Sequence, residues 1–546
     1  VNAPASAHPA RPEPGPALRH ETRFGDRVVR CFAERPTSVH AMFEGSLARQ
    51  PERDAMVYEG RRWSWRDLDA AAGRVAAALV ARGLAPGERI VMLVSNRPEF
   101  VVTLLAALRL GAIAVPVSVR EQAPGLAWIL GQCAAAAIVH DDALVDRLPA
   151  PADAPALRLR IAAAEIAAIA DADAPALHTA APVHEEDTAV ILYTSGTTGR
   201  PKGAMLSHVG IVHSSMHYEY GMRLGPDERS ALAVPASHVT GLVAMITTMW
   251  RVGGALVVIP EFKAAAFLAL AARERITHTI MVPAMYALCL MQPDLERHDL
   301  SAWRIGSYGG APMAASTIEA LAQRLPGLTP MNAYGATETT SPATLMPIGE
   351  QPTHLQSVGR PLHCVDIVVV DDDGREVPPG ETGELLIGGP MIVRGYWDNP
   401  EASAAGFVGG YWRSGDLGAM DTDGYVRIHD RKKDMINRGG YKIWSVEVEN
   451  VLVGHPGVIE AAAVGVPCPV LGERVHAFVH LDAGSAAAAL GRSDPAALAA
   501  GLRAWCTERL ADYKVPETVT PHADPLPRNA NGKLLKREMR GWVGTT

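Results

Sequence analysis

The eleven residues "YTSGTTGRPKG" (193–203) hold three glycines, three threonines, a serine and a lysine, directly after the apolar run "TAVIL" (188–192). Such a string suits a polyphosphate. Glycines let backbone N–H groups come close, hydroxyls donate to phosphate oxygens, and Lys202 supplies positive charge. It is not the usual P-loop, because Lys202 follows Pro201 and precedes Gly203 rather than Ser or Thr. The plain alternative is a Gly/Thr surface turn, which the crowding of hydroxyls disfavours.

Five further strings follow in chain order: "SYGGAP" (307–312), "NAYGATETT" (332–340), "YWRSGDLG" (411–418), "DRKKDMINRGGYKIWSVEVE" (430–449) and "PRNANGK" (527–533). Taken with "YTSGTTGRPKGAMLSH" (193–208), they resemble the signatures of the adenylate-forming (AMP-binding) superfamily, and most closely its stand-alone acyl- and aryl-CoA synthetases. The resemblance implies two half-reactions: a carboxylate attacks the α-phosphate of ATP to give acyl-AMP and pyrophosphate, and a CoA thiol then displaces AMP. ATP, Mg²⁺ and coenzyme A are the implied cofactors, and a small-molecule carboxylic acid is the substrate. Thr194, Ser195, Gly196, Thr197, Thr198, Gly199 and Lys202 would embrace the β- and γ-phosphates. Glu338, beside Thr337, would be the metal-side carboxylate, since Mg²⁺ keeps most of its waters and needs one or two carboxylates. Tyr334, among Asn332, Ala333 and Gly335, would lie on one adenine face, with Gly310, Ala311 and Pro312 on the other. Asp416 would accept both ribose hydroxyls, a carboxylate having oxygens for two donors. Arg431 would approach ribose and phosphate from the hinge side.

Lys533 would stabilise charge over the reacting carboxylate and α-phosphate in the first step. The competing reading is a solvated basic tail, since "RNANGKLLKREMR" has five Lys or Arg against one Glu. Gly439 and Gly440 would leave room for a pantetheine arm in the second step, or form a plain turn. Lys533 and these glycines belong to one small domain yet serve different steps, so the resemblance implies rotation of that domain about Lys433. His238 and Val239 in "PASHVTGLV" (235–243) resemble a pocket-side segment. His238 would lie near the incoming carboxylate, or else be a hydrogen-bonded core histidine. Segments 281–290 ("MVPAMYALCL") and 307–310, with Gly309 and Gly310, are expected to line the acyl pocket; they are apolar and small, which suits an apolar monocarboxylic acid. Four alternatives stay open: delivery to a carrier-protein phosphopantetheine, luciferase-like oxidation, a nucleotide-binding module without catalysis, and a phosphate-releasing ATPase.

These residues need a scaffold. At 546 residues the chain exceeds what one core holds. Alternating patterns point to α/β architecture with helix-covered, mainly parallel sheets. Leu68, Ala72, Val75, Ala76 and Leu79 share a helical face, ended by Gly83. "ERIVMLVSN" (88–96) reads as a strand, "RPEFVVTLLAALRLG" (97–111) as a helix with Asn96 as its cap, and "AIAVPV" (112–117) as a strand. Residues 141–182 are Ala-, Asp- and Pro-rich and peripheral. A second alternating series covers about 188–345. Short strands with "DDDG" and "PPG" turns after Val358 predict a β-rich subdomain over about 358–430. Ser445 is expected to cap a helix carrying Val448, Val451 and Leu452, followed by the strands "AAAVGVP" and "RVHAFVHL". The expected units are a flexible tail over 1–25, an N-terminal AMP-binding domain over 26–430, and a small mobile α+β C-terminal domain over 431–546.

A net charge of −8 argues against a nucleic-acid partner. Six scattered cysteines (31, 133, 289, 364, 468, 506) without a CxxC pair argue against a structural zinc or disulfide framework and fit a reducing cytoplasm. The Pro- and Ala-rich start lacks the apolar region of a secretory signal, and no stretch of about 20 apolar residues predicts a membrane span. The resemblance leaves room for a homodimer.

Overall fold

The computed structural model describes residues 16–194, 200–528 and 534–543. Two helix-covered sheets form its larger part. The first has six strands in the order Lys202–Ser207, Thr188–Thr194, Ile113–Pro116, Arg89–Leu93, Ala137–His140 and Leu159–Ala162; all neighbours are parallel except the first pair. The second has nine, with a parallel centre of Thr329–Ala336, Ile305–Tyr308, His278–Met281, Arg229–Leu232, Ala255–Val258 and Asp54–Tyr58, and antiparallel strands at both ends. One continuous core fills the space between them, with Ile90, Met92 and Val190 from one sheet and Leu232, Val258 and Met331 from the other. Separate apolar clusters cover each outer face, around Ile129 and Leu130 on one side and Phe267, Tyr286 and Trp303 on the other. Burial on both faces is what parallel strands require.

The helix predicted from Leu68 spans Trp65–Ala81 and buries all five predicted positions. It begins three residues earlier because Ser64 and Asp67 form a reciprocal capping box. Asn96 does not cap the following helix, Pro98–Arg109, whose N-cap is Arg97. Its amide instead donates to the carbonyls of Val234 and Ile259 at 2.9 and 3.2 Å and accepts from the N–H of Ala236 at 2.8 Å. Asn96 thus ties the first sheet to the carboxyl ends of the second. Leu18–Arg23, placed in the flexible tail by sequence, is a strand paired with Arg27–Phe32. Glu21 there accepts from Arg35 at 2.8 Å, a pairing that a solvated tail would not make.

The β-rich part has Asp366–Val370, Gly383–Gly388, Tyr411–Met420, Phe407–Val408 and Val426–Arg431, all antiparallel. Its last strand carries Arg431, one residue past the sequence-based boundary. The final unit is a five-stranded sheet built on the pair Val458–Cys468 and Gly472–Leu481, with helices Ser445–Val453 and Pro495–Thr507 on one face and Lys536–Trp542 on the other. Alternation along Val458–Cys468 sends Ala461 and Ala463 into one cluster and Ala462, Val464 and Val466 into the other. No helix among the described residues is long and apolar enough to cross a membrane.

Candidate active site

Four adjacent parallel strands, Arg229–Leu232, His278–Met281, Ile305–Tyr308 and Thr329–Ala336, end at one edge of the nine-stranded sheet. Their outgoing segments carry His238, Val282, Gly309–Pro312 and Gly335–Glu338, so sequence-distant motifs meet at the edge where open α/β sheets bind ligands. Close approach explains the glycines. A Cβ at Gly309 would sit 2.5 Å from the Ala333 carbonyl, and one at Gly335 would sit 1.6 Å from the Ser341 carbonyl. Gly310 has φ +77° and is exposed with Ala311 and Pro312, which leaves backbone facing open space. Asn332 is buried, and its backbone N–H donates to Gln351 Oε1 at 3.1 Å.

The turn that presents Glu338 is strained. Thr340 and Ser341 have φ of 51° and 94°, which L-residues rarely adopt. Hydrogen bonds hold it: Thr339 Oγ1 accepts from the Ala336 N–H at 2.8 Å, Thr340 Oγ1 donates to the Met391 carbonyl at 2.6 Å, and Tyr218 and Ser341 share hydroxyls at 2.9 Å. Such strain persists only where the surroundings over-determine it.

Glu338 is buried, yet no basic side chain within salt-bridge reach neutralises it among the described residues. Its Oε1 accepts from the Tyr396 hydroxyl at 2.9 Å, and Thr194 Oγ1 lies 3.5 Å away. Thr194 is opposite Lys202 across the antiparallel pair that begins and ends the glycine-rich string. The Lys202 ammonium lies 5.3 Å from the Tyr396 ring centroid. Ser195, Gly196, Thr197, Thr198 and Gly199 lie outside the described residues. One carboxylate with a neighbouring hydroxyl fits Mg²⁺, which accepts oxygen ligands and retains water. Tyr396 escaped sequence reading: an aromatic residue in a Gly/Pro-rich stretch carries no periodic signal.

A second constellation lies beside the first. Asp416 Oδ2 accepts from the Tyr334 hydroxyl at 2.6 Å, and Oδ1 pairs with Arg431 Nε at 2.6 Å. Register makes this meeting, since Asp416 and Arg431 are direct cross-strand partners. Burial and the Asp416 carboxylate both hold the Tyr334 phenol protonated, well above its ordinary pKa. Arg431 also feels the charge of Glu338, which links the two groups.

His238 follows the strand Arg229–Leu232 and precedes a π-helix, Thr240–Thr247. Its Nδ1 lies 3.3 Å from the Thr240 N and 3.2 Å from Thr240 Oγ1, and burial lowers its pKa. It is partly exposed and Val239 is buried. The pocket expected from 281–290 is corrected for the three residues of that segment that are buried. Met281, Tyr286 and Cys289 belong to the core cluster behind the sheet, and the Tyr286 hydroxyl donates to the Ser307 carbonyl at 2.6 Å. Val282, Ala284 and Leu288 are exposed, and Val282, 41% accessible, approaches Gly310. Helical geometry turns every third or fourth residue inward, which an apolar string does not reveal.

In the final unit, Gly439 and Gly440 have φ of 59° and 89° and form the two-residue turn between the strands Ile436–Arg438 and Tyr441–Ile443. The turn alone accounts for both glycines; a Cβ at Gly440 would meet nothing within 4 Å. Lys433 lies between the two units, and Arg540 donates to its carbonyl at 2.9 Å. Ser445 is the first helical residue, not the cap: its N–H donates to the Asp430 carboxylate and its hydroxyl accepts from Lys536 at 2.7 Å. Lys533 lies outside the described residues.

Known proteins resemble this chain over most of its length. The family model for AMP-binding enzymes matches residues 43–397, and that for the AMP-binding enzyme C-terminal domain matches 447–533. A feruloyl-CoA synthase of an Amycolatopsis species is 35% identical over 90% of this chain and 96% of its own. The fatty acid–[acyl-carrier-protein] ligase ScoC of Streptomyces coeruleorubidus is 34% identical over 92% of this chain and 95% of its own. Among solved structures, ATP-bound MatB from Rhodopseudomonas palustris superposes with a TM-score of 0.83 at 30% identity, covering 93% of this chain and 99% of its own.

Proposed function

The chain belongs to the AMP-binding enzyme family, and from that premise we propose that it is an ATP-dependent carboxylic acid:CoA ligase working in two steps. In the first, a carboxylate oxygen bonds to the α-phosphorus as the bond to the β-phosphate oxygen breaks, giving acyl-AMP and pyrophosphate. In the second, the CoA sulfur bonds to the acyl carbon, the bond to AMP breaks, and the thiol proton is lost. Asp416 and Tyr334 seat ribose and base, while Arg431, Lys202 and Lys533 balance phosphate charge. Glu338 and Thr194 would hold Mg²⁺, which would supply positive charge beside the phosphates. Neutral His238 faces the acid at the pocket mouth and can donate a hydrogen bond to it. The small final unit rotates about Lys433, bringing first Lys533 and then the Gly439–Gly440 turn to the site.

The observation that carries this reading is the convergence of the Glu338–Tyr396–Thr194–Lys202 group and the Asp416–Tyr334–Arg431 group at one sheet edge. The acid is an apolar monocarboxylate; exposed Val282 beside Gly310 supports this, as does likeness to a feruloyl-CoA synthase. Likeness to ScoC supports a second acceptor, a carrier-protein phosphopantetheine. The described cysteines are free and five of the six are buried, which supports a cytoplasmic place of work.

The test is a panel of carboxylic acids scored for pyrophosphate and AMP, with CoA or a loaded carrier protein as acceptor. Acid-dependent pyrophosphate with AMP is expected, and CoA should outcompete the carrier. ADP and phosphate formed without any acid would reject the reading.

A further inference from the structure

Residues 389–397 form a strap that runs behind the Glu338 turn. The Met391 carbonyl accepts from Thr340 Oγ1 at 2.6 Å, and the Val393 N–H donates to the Glu338 carbonyl at 3.0 Å. Arg27, buried in the N-terminal hairpin, donates to the carbonyls of Ile392, Val393 and Arg394 at 3.1–3.3 Å. The strap then joins the glycine-rich hairpin: the Met205 N–H donates to the Gly395 carbonyl at 3.1 Å, and the Trp397 N–H to the Gly203 carbonyl at 2.7 Å. Tyr396 therefore projects from a backbone fixed on three sides. Its hydroxyl meets Glu338 Oε1 at 2.9 Å, its ring face meets Lys202 at 5.3 Å, and its ring packs on Phe407 with centroids 5.7 Å apart. Among the described residues, Oε2 of Glu338 has no hydrogen-bond partner.

We propose that Tyr396 is a positioning residue for adenylation: its hydroxyl engages Oε1 of Glu338, so that Oε2 is presented to the metal–nucleotide, and its ring holds Lys202 at the exit of the phosphate-binding string. This rests on the role given to Glu338 above. Tyr396 donates to the carboxylate rather than competing with it, because the phenol carries the O–H and an ionised carboxylate only accepts. Removing an outer partner of a metal-binding group typically weakens metal affinity or activity 10- to 100-fold.

The experiment is Tyr396→Phe in the full chain, which keeps the ring. Calorimetric titration with ATP should show about tenfold weaker binding in Mg²⁺ and unchanged binding in EDTA, an outer-partner effect. Acid-dependent pyrophosphate exchange should need more Mg²⁺ for half-maximal rate, while thioester formation from supplied acyl-adenylate stays as in the wild type and the variant stays folded at the assay temperature. Equal loss with Mg²⁺ and EDTA, a wild-type Mg²⁺ requirement, or a variant that fails to fold would each overturn the proposal. A wild-type protein without acid-dependent exchange would instead reject the ligase reading, leaving the calorimetric comparison to judge Tyr396 separately.

Discussion

Replacing Asp416 by Asn tests the ribose contact. The side chain is only 3% exposed, and its two oxygens already take Tyr334 and Arg431, each at 2.6 Å. A carboxylate has about four lone-pair sites, so roughly two remain, enough for a diol. Hydrogen bonds to a charged acceptor contribute about 1.5–3 kcal/mol against about 0.5–1.5 for neutral ones. Losing the charge at two ribose bonds therefore costs about 2–3 kcal/mol, or about 30- to 150-fold in ATP affinity. The amide also turns an NH₂ toward Tyr334 or Arg431, both donors, which destabilises the empty protein by about 1–3 kcal/mol. The assay is a double comparison: the wild type and Asp416→Asn, each titrated with ATP and with 2′,3′-dideoxy-ATP. The wild type should strongly prefer ATP, and the variant should lose most of that preference. An equal dideoxy penalty in both proteins would show that Asp416 does not hold the hydroxyls, however much overall affinity falls.

Lys533→Ala should slow acyl-AMP formation by a few kcal/mol, about 10²- to 10³-fold, and spare thioester formation from supplied acyl-adenylate; equal loss in both would reject its role. Gly440→Asn, tolerated by the left-handed turn, should keep the melting temperature and impair only the thioester step; normal CoA turnover would leave the glycine as a turn residue and nothing more. Acid should destabilise the fold. Burial lowers His40 and His278 to about 3 and His208, His213 and His476 to about 4, below the unfolded value of about 6.5. The unfolded chain then binds more protons between pH ~6.5 and ~4, so stability falls as pH drops through that window, by up to about 1.4 kcal/mol per histidine per pH unit. The urea midpoint should be clearly lower at pH 5.5 than at 7.5, and an unchanged midpoint would contradict neutral burial of these rings.

Alternation of apolar runs marked the helix from Trp65, the strands Arg89–Leu93 and Thr188–Thr194, and the paired strands of the final unit, because side-chain period is a local property. The resemblance of the motif strings to those of the AMP-binding superfamily singles out Thr194, Tyr334, Glu338, Asp416 and Arg431 as candidate site residues. Residues that work by long-range contact left no such trace. Asn96 reads as a helix cap yet stitches two sheets, Ser445 as a cap yet sits inside its helix, and Met281, Tyr286 and Cys289 as pocket wall yet belong to the core. Tyr396 and Arg27 belong to no quoted motif, and their importance rests on partners 58 and more than 360 residues away. Local sequence thus determined the elements and the chemical repertoire, since propensity, periodicity and turn chemistry act over a few residues. Which carboxylate meets which donor was decided by strand order and cross-strand register, because only the folded sheets bring those groups within bonding distance.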